Sequence, residues 1–162
     1  MAFLVKEEIL RNVIRTHEVV LVAGWAGTGK TSTALRAAKD LGDVFYFNEA
    51  APDARALVAR HNEKAVVLHD VREFGAVKSG QPLLIADELN KAGAETLKTL
   101  DGIVSGNTDG NPPGKPGNAK VILITRLLME ARDFLPKVNV VIRFKHDIAE
   151  VLLTSLADID KI

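Results

Sequence analysis

The stretch Gly24-Trp25-Ala26-Gly27-Thr28-Gly29-Lys30-Thr31 constrains this chain more than any other feature. It has the form G-x-x-x-x-G-K-[ST], and its setting fits that form. Before it stands VVLVA (19–23), a continuous, mostly β-branched run of the kind that forms a strand buried on both faces. After it comes a stretch of good helix formers, 32–41, with Gly42 as a stop. Glycines at 24, 27 and 29 allow a tight turn that points successive N–H groups inward. With the N-terminus of the following helix, those donors cradle phosphate oxygens. Lys30 is placed to reach the β and γ phosphates, and the Thr31 hydroxyl to hold Mg²⁺. The expected nucleotide contacts run through Gly24, Trp25, Ala26, Gly27, Thr28, Gly29, Lys30, Thr31 and Ser32.

The rest of the chain repeats the alternation of strand and helix. Apolar runs recur at 44–47, 65–68, 83–86, 121–125 and 138–144. Helical spacing appears at Val5, Ile9, Leu10, Val13 and Ile14, around Ala54, Leu57 and Val58, and at Leu97, Leu100, Ile103 and Val104. A last helix is expected from about Asp147 to Leu156. This is the pattern of an α/β fold, three-layered, with a mostly parallel five-stranded sheet flanked by helices. In such sheets ligands sit beyond the carboxyl ends of the strands. A length of 162 residues suits a single domain. Equal counts of acidic and basic residues, 21 each, argue against indiscriminate polyanion binding. With no cysteine, a disulfide scaffold and a thiolate zinc site are both excluded. No apolar run approaches the ~20 residues of a bilayer helix, and the N-terminus lacks the pattern of a secretory signal, so a cytoplasmic, membrane-free protein is expected.

The run LLIADE ends in Asp87-Glu88. A carboxylate at the tip of a buried strand is costly unless a charge meets it, and Mg²⁺ held by Thr31 supplies one. Asp87 is then a metal partner, while Glu88 is placed to orient a water and accept its proton. The competing reading is that these acids open the next helix, where its dipole favours them.

VVLVAGWAGTGKT, LLIADELNKAGAETLKTL and VILIT together resemble the AAA+ ATPase core, most closely its MoxR and dynein-related branch. In that branch a DE-[IL]-N-[KR]-A segment follows the Walker B strand, here Asp87-Glu88-Leu89-Asn90-Lys91-Ala92. The likeness runs from the first helix through Phe144. It implies ATP and Mg²⁺ as cofactors, hydrolysis coupled to remodelling of a protein or nucleic acid, and a homo-oligomeric ring with an arginine supplied in trans. It also implies a polar sensor at the tip of the strand 121–125, where Thr125 is the nearest candidate, in place of the family's usual Asn. The arginine candidates are Arg126, Arg132 and Arg143, with Arg143 more simply read as a strand-face residue. The family's helical lid is at most a remnant within 147–162.

Several alternatives remain open. A small phosphate-loop kinase suits the length, with Arg126 and Arg132 clamping phosphates. A helicase-like module or a nucleotide switch also fits the loop. Trp25 either shields nucleotide, faces a neighbour or packs on the loop. The Gly/Pro/Asn-rich stretch 105–119 reads as a solvent loop, or as an insertion whose Lys115, with Lys120, touches phosphates. The charge run Lys6–Glu8 reads as a solvated helix face. His17, His61, His69 and His146 show no metal-ligand spacing.

Overall fold

The run Val19–Ala23 forms β1, buried along its whole length in the computed structural model, which describes residues 2–77, 80–105 and 119–153. Its neighbours are two other apolar runs, β5 (Lys120–Thr125) and β6 (Val140–Phe144), both parallel to it. Beyond β5 lies β4 (Pro82–Ala86), then β2 (Asp43–Phe47) and the two-residue β3 (Val66–Val67), all parallel. Beyond β6 lies β7 (Ala149–Leu153), which is antiparallel. The sheet order is therefore β3-β2-β4-β5-β1-β6-β7.

Side-chain alternation divides the core in two. On one face Val20, Val22, Ile85, Ile122 and Ile142 meet Leu10 and Ile14 of α1 (Ala2–Thr16), Leu35 of α2 (Lys30–Ala37) and Val58 of α3 (Arg55–His61). On the other, Leu21, Leu84, Leu123 and Val141 meet Phe74 of α4 (Arg72–Gly75), Leu100 and Ile103 of α5 (Ala94–Val104), and Phe134 of a 3₁₀ segment, Leu128–Lys137. Strands covered on both faces need apolar residues at every position, which is why these runs are continuous rather than alternating.

The sheet has seven strands among the described residues, against the expected five. The additions are its edges. β3 pairs with β2 through two residues only. β7 replaces the first part of the expected C-terminal helix. Its sequence AEVLL is short and apolar enough to suit either state, and the open edge of β6 decides for a strand. Glu150 on β7 is drawn to the same edge by Lys145 at 2.6 Å and Arg143 at 3.9 Å. Residues 154–162, which include the rest of the expected helix and lid remnant, lie outside the described residues, as does most of the loop 105–119 with Lys115. Among the described residues no helix is long and apolar enough to cross a membrane.

Gly42, just before β2, has φ 141, and a Cβ there would lie 2.3 Å from the Gln81 carbonyl oxygen that leads into β4. Gly42→Ala should destabilise the fold by about 1–3 kcal/mol, measured as a lower midpoint in urea unfolding; an unchanged midpoint would contradict this packing.

Candidate functional site

The turn from β1 to α2 shows why its glycines are needed. Gly27 and Gly29 have φ of 84 and 81, the left-handed region where a side chain is strained. Gly24 is required by contact, since a Cβ there would sit 2.6 Å from the Phe144 carbonyl oxygen. The Gly24 N–H donates to the carbonyls of Thr125 (3.2 Å) and Arg126 (3.1 Å), which fixes the start of the loop to the end of β5. The Thr28 hydroxyl closes the loop by donating to the Trp25 carbonyl at 2.7 Å. Ser32, in the first turn of α2, donates its hydroxyl to the Gly29 carbonyl at 3.3 Å. The Lys30 ammonium folds back onto the loop, donating to the carbonyls of Gly24 and, at 2.9 Å, Trp25. Burial lowers the Lys30 pKa from its ordinary value, and the negative charges of Asp87 and Glu88 act in the other direction.

Across from the loop stands Asp87, buried just past the end of β4. One of its oxygens, Oδ2, accepts from the Thr31 hydroxyl at 2.5 Å and from the Tyr46 hydroxyl at 2.6 Å. Its other oxygen accepts from the Glu88 N–H at 2.8 Å. Glu88 adopts φ 51, ψ 51, the one non-glycine residue at positive φ among the described residues. Such a conformation costs about 1–3 kcal/mol and persists where surrounding contacts hold it. Here Asn48 Nδ2 donates to Glu88 Oε2 at 3.0 Å and to the Tyr46 hydroxyl at 3.2 Å, and Lys91 lies 3.4 Å from Glu88 Oε1.

Thr31 and Asp87 provide a hydroxyl and a carboxylate in contact, the small oxygen set that Mg²⁺ takes alongside phosphate oxygens and water. The loop provides inward N–H groups at a helix N-terminus. These residues therefore fit a magnesium-bound nucleoside triphosphate. Among the described residues no three His, Asp or Glu side chains gather in a metal-binding cluster.

Thr125 is fully buried at the tip of β5, and among the described residues its hydroxyl has no hydrogen-bond partner. It follows Leu123 on the α5 face of the sheet, whereas Asp87 follows Ile85 on the α2 face. The three arginines converge. Arg126, Arg132 and Arg143 line one cavity of ≈ 950 Å³ together with Trp25, on the outer flank of the phosphate loop. Arg126 pairs with Glu130 at 3.2 Å and lies 5.8 Å from the Trp25 ring centroid. Arg143 faces Glu150, and Arg132 is exposed on the 3₁₀ segment. Trp25 is 62% exposed rather than packed on the loop.

Two expectations about lysines are corrected. Lys120 sits at the start of β5, the end of the strand away from the phosphate loop, where its ammonium donates to the Ile14 carbonyl. Lys6 is buried, not solvated. Its ammonium donates to the carbonyls of Thr28 (2.9 Å), Lys145 (2.5 Å) and His146 (3.1 Å), which joins α1 to the phosphate loop and to the β6–β7 turn. Its pKa is lowered by burial, and the charge of Asp147 offsets part of this. Its spacing with Leu10 and Ile14, four and eight residues on, carries the signal. Tyr46 and Asn48 were also missed; they stand at the carboxyl end of β2, where the ligand rule for parallel sheets applies.

No family model matches the chain, and no curated protein matches it. Among solved structures, it is similar to the Legionella pneumophila ATPase DotB, at 14% identity and a TM-score of 0.44 over 95% of this chain and 50% of that one. The chain thus spans about half the length of DotB. It is also similar to the N-terminal domain of zonular occludens toxin from Neisseria meningitidis, at 13% identity and a TM-score of 0.39 over 89% of this chain and 97% of that one. Neither likeness bears on activity. The architecture is an α/β fold with a mostly parallel sheet, in which the G-x-x-x-x-G-K-[ST] stretch links the buried strand β1 to α2.

Burial raises the Asp87 carboxyl above its ordinary value, while the hydrogen bonds from Thr31 and Tyr46 act against that rise. The folded protein therefore takes up this proton at a higher pH than the unfolded chain does. Ionised Asp87 subtracts from stability above the folded-state value, and the penalty fades as pH falls toward ~4. As pH is lowered from neutral in metal-free buffer, the wild-type melting temperature should rise relative to that of Asp87→Asn. Equal melting at every pH would contradict this.

Proposed function

We propose that the chain binds ATP with Mg²⁺ at the phosphate loop and hydrolyses it. The contact between Thr31 and Asp87, with Glu88 next in sequence, carries this reading. The loop N–H groups and Lys30 take the phosphates, for which Lys30 exchanges its bonds to Gly24 and Trp25. Thr31 and Asp87 hold the cation, which when bound neutralises charge on the β and γ phosphates. Glu88 orients a water and accepts its proton as the oxygen bonds to the γ phosphorus and the bond to the β-phosphate oxygen breaks. Asn48 holds the Glu88 carboxylate in place. The buried Thr125 hydroxyl, which lacks a partner among the described residues, is the polar group at the tip of β5 for a water or phosphate.

The AAA+ resemblance extends this reading to remodelling of a protein or nucleic acid by a ring of copies. Of the three arginines, Arg132 is the one with no ion pair among the described residues, which is what reaching a neighbour's γ phosphate requires.

Lys30→Ala should weaken ATP binding by about 100-fold or more in calorimetry, and Glu88→Gln should keep binding while slowing phosphate release by about 10²–10⁴. Unchanged binding in the first variant, or wild-type turnover in the second, would overturn the corresponding role. Turnover per chain should rise with protein concentration if Arg132 acts across a subunit boundary; a concentration-independent rate assigns the arginines to their own chain.

A further inference from the structure

We propose that the cavity on the outer flank of the phosphate loop is a second ligand site, for a planar ring bearing an anionic group. Neither Lys30, Thr31, Asp87 nor Glu88 lines it. Ala23 and Arg143 open into it, and both follow residues of the α5 face, Leu21 and Val141. Gly24, Trp25, Ala26 and Thr28 form its loop wall, so the site adjoins the phosphate loop and extends from it toward the α5 side of the sheet tip, away from the Thr31–Asp87 contact.

Three observations define the ligand. The first is size: ≈ 950 Å³ lies within the range of small-molecule pockets, about 300–1,000 Å³. The second is an apolar platform. Trp25 is 62% exposed and Met129 79% exposed, two large apolar side chains at one cavity. The Arg126 guanidinium lies 5.8 Å from the indole centroid and is itself held by Glu130, so the platform is pre-set rather than loose. Flat aromatic surface of this kind is covered well by another ring.

The third is charge. Arg126, Arg132, Arg143 and Lys145 all line the cavity. Glu130 pairs with Arg126, and Glu150 faces both Arg143 and Lys145. Arg132 is exposed and has no acidic partner among the described residues. A guanidinium beside an apolar wall selects a phosphate or carboxylate by paired hydrogen bonds. The combination calls for one molecule with both parts, ring against Trp25 and Met129, anion toward Arg132.

The chain contains a single tryptophan, so the site carries its own reporter. Phenyl phosphate titrated into the full chain should give a saturable change in Trp25 emission, with calorimetry recording the same binding as heat. Inorganic phosphate and phenol should each bind about tenfold more weakly or worse, ~1.4 kcal/mol. Arg132→Ala and Met129→Glu, both at exposed positions, should each weaken phenyl phosphate about tenfold, and Lys30→Ala, whose ammonium meets only the Gly24 and Trp25 carbonyls of this site, should weaken it less than either. Absence of saturable binding by both readouts would overturn the proposal. So would equal affinity for inorganic phosphate, or loss of binding in Lys30→Ala with retention in Arg132→Ala, which would move the ligand to the phosphate loop. Failure of ATP to bind, with phenyl phosphate still binding, would count against the hydrolytic reading alone.

Discussion

One buried carboxylate holds the sheet end together. Asp87 receives a hydroxyl from α2 through Thr31, a hydroxyl from β2 through Tyr46 and the N–H of Glu88 beside it. Three elements that share no local sequence are thereby fixed relative to one another. Burial makes this arrangement costly, because each partner must be present for the charge to be tolerated. Tyr46 records the same tension from the other side: burial first, and then the charge of Asp87, push its hydroxyl pKa far above the ordinary range. A second charge of opposite sign, Lys6, performs a comparable service on the loop's other side. Its hydrogen bonds go to three backbone carbonyls and it lies 5.2 Å from the Phe144 ring centroid, so it constrains the path of the chain at three points.

Much of this was legible in the sequence. Continuous apolar runs bounded by polar tips gave the parallel strands, because a strand covered on both faces has no solvent side to encode. The glycine pattern marked the loop, because glycine adopts the backbone at 27 and 29 without strain. The carboxylates 87 and 88 were visible because acids directly after LLIA have few structural uses.

The remainder depended on contacts distant in sequence. Whether AEVLL becomes helix or strand is decided by the free edge of β6, not by its own residues. Lys6 looked solvated because Glu7 and Glu8 stand beside it; at helical spacing those neighbours face elsewhere, and Glu7 pairs with Arg36 and Arg11. Arg126, Arg132 and Arg143 were three separate candidates until β6 and the segment after β5 brought them to one cavity.

The strand order has a consequence of scale. β5 lies between β4 and β1, so the strand that carries Asp87 and the strand that leads into the glycine loop are two sheet spacings apart, about 10 Å. Had the two strands been adjacent, about 5 Å would separate them. The inserted strand acts as a spacer, and its tip is the floor of the gap it opens. Thr125 stands fully buried at that tip on the α5 face, so a change of side-chain volume there would be felt first on that side of the sheet.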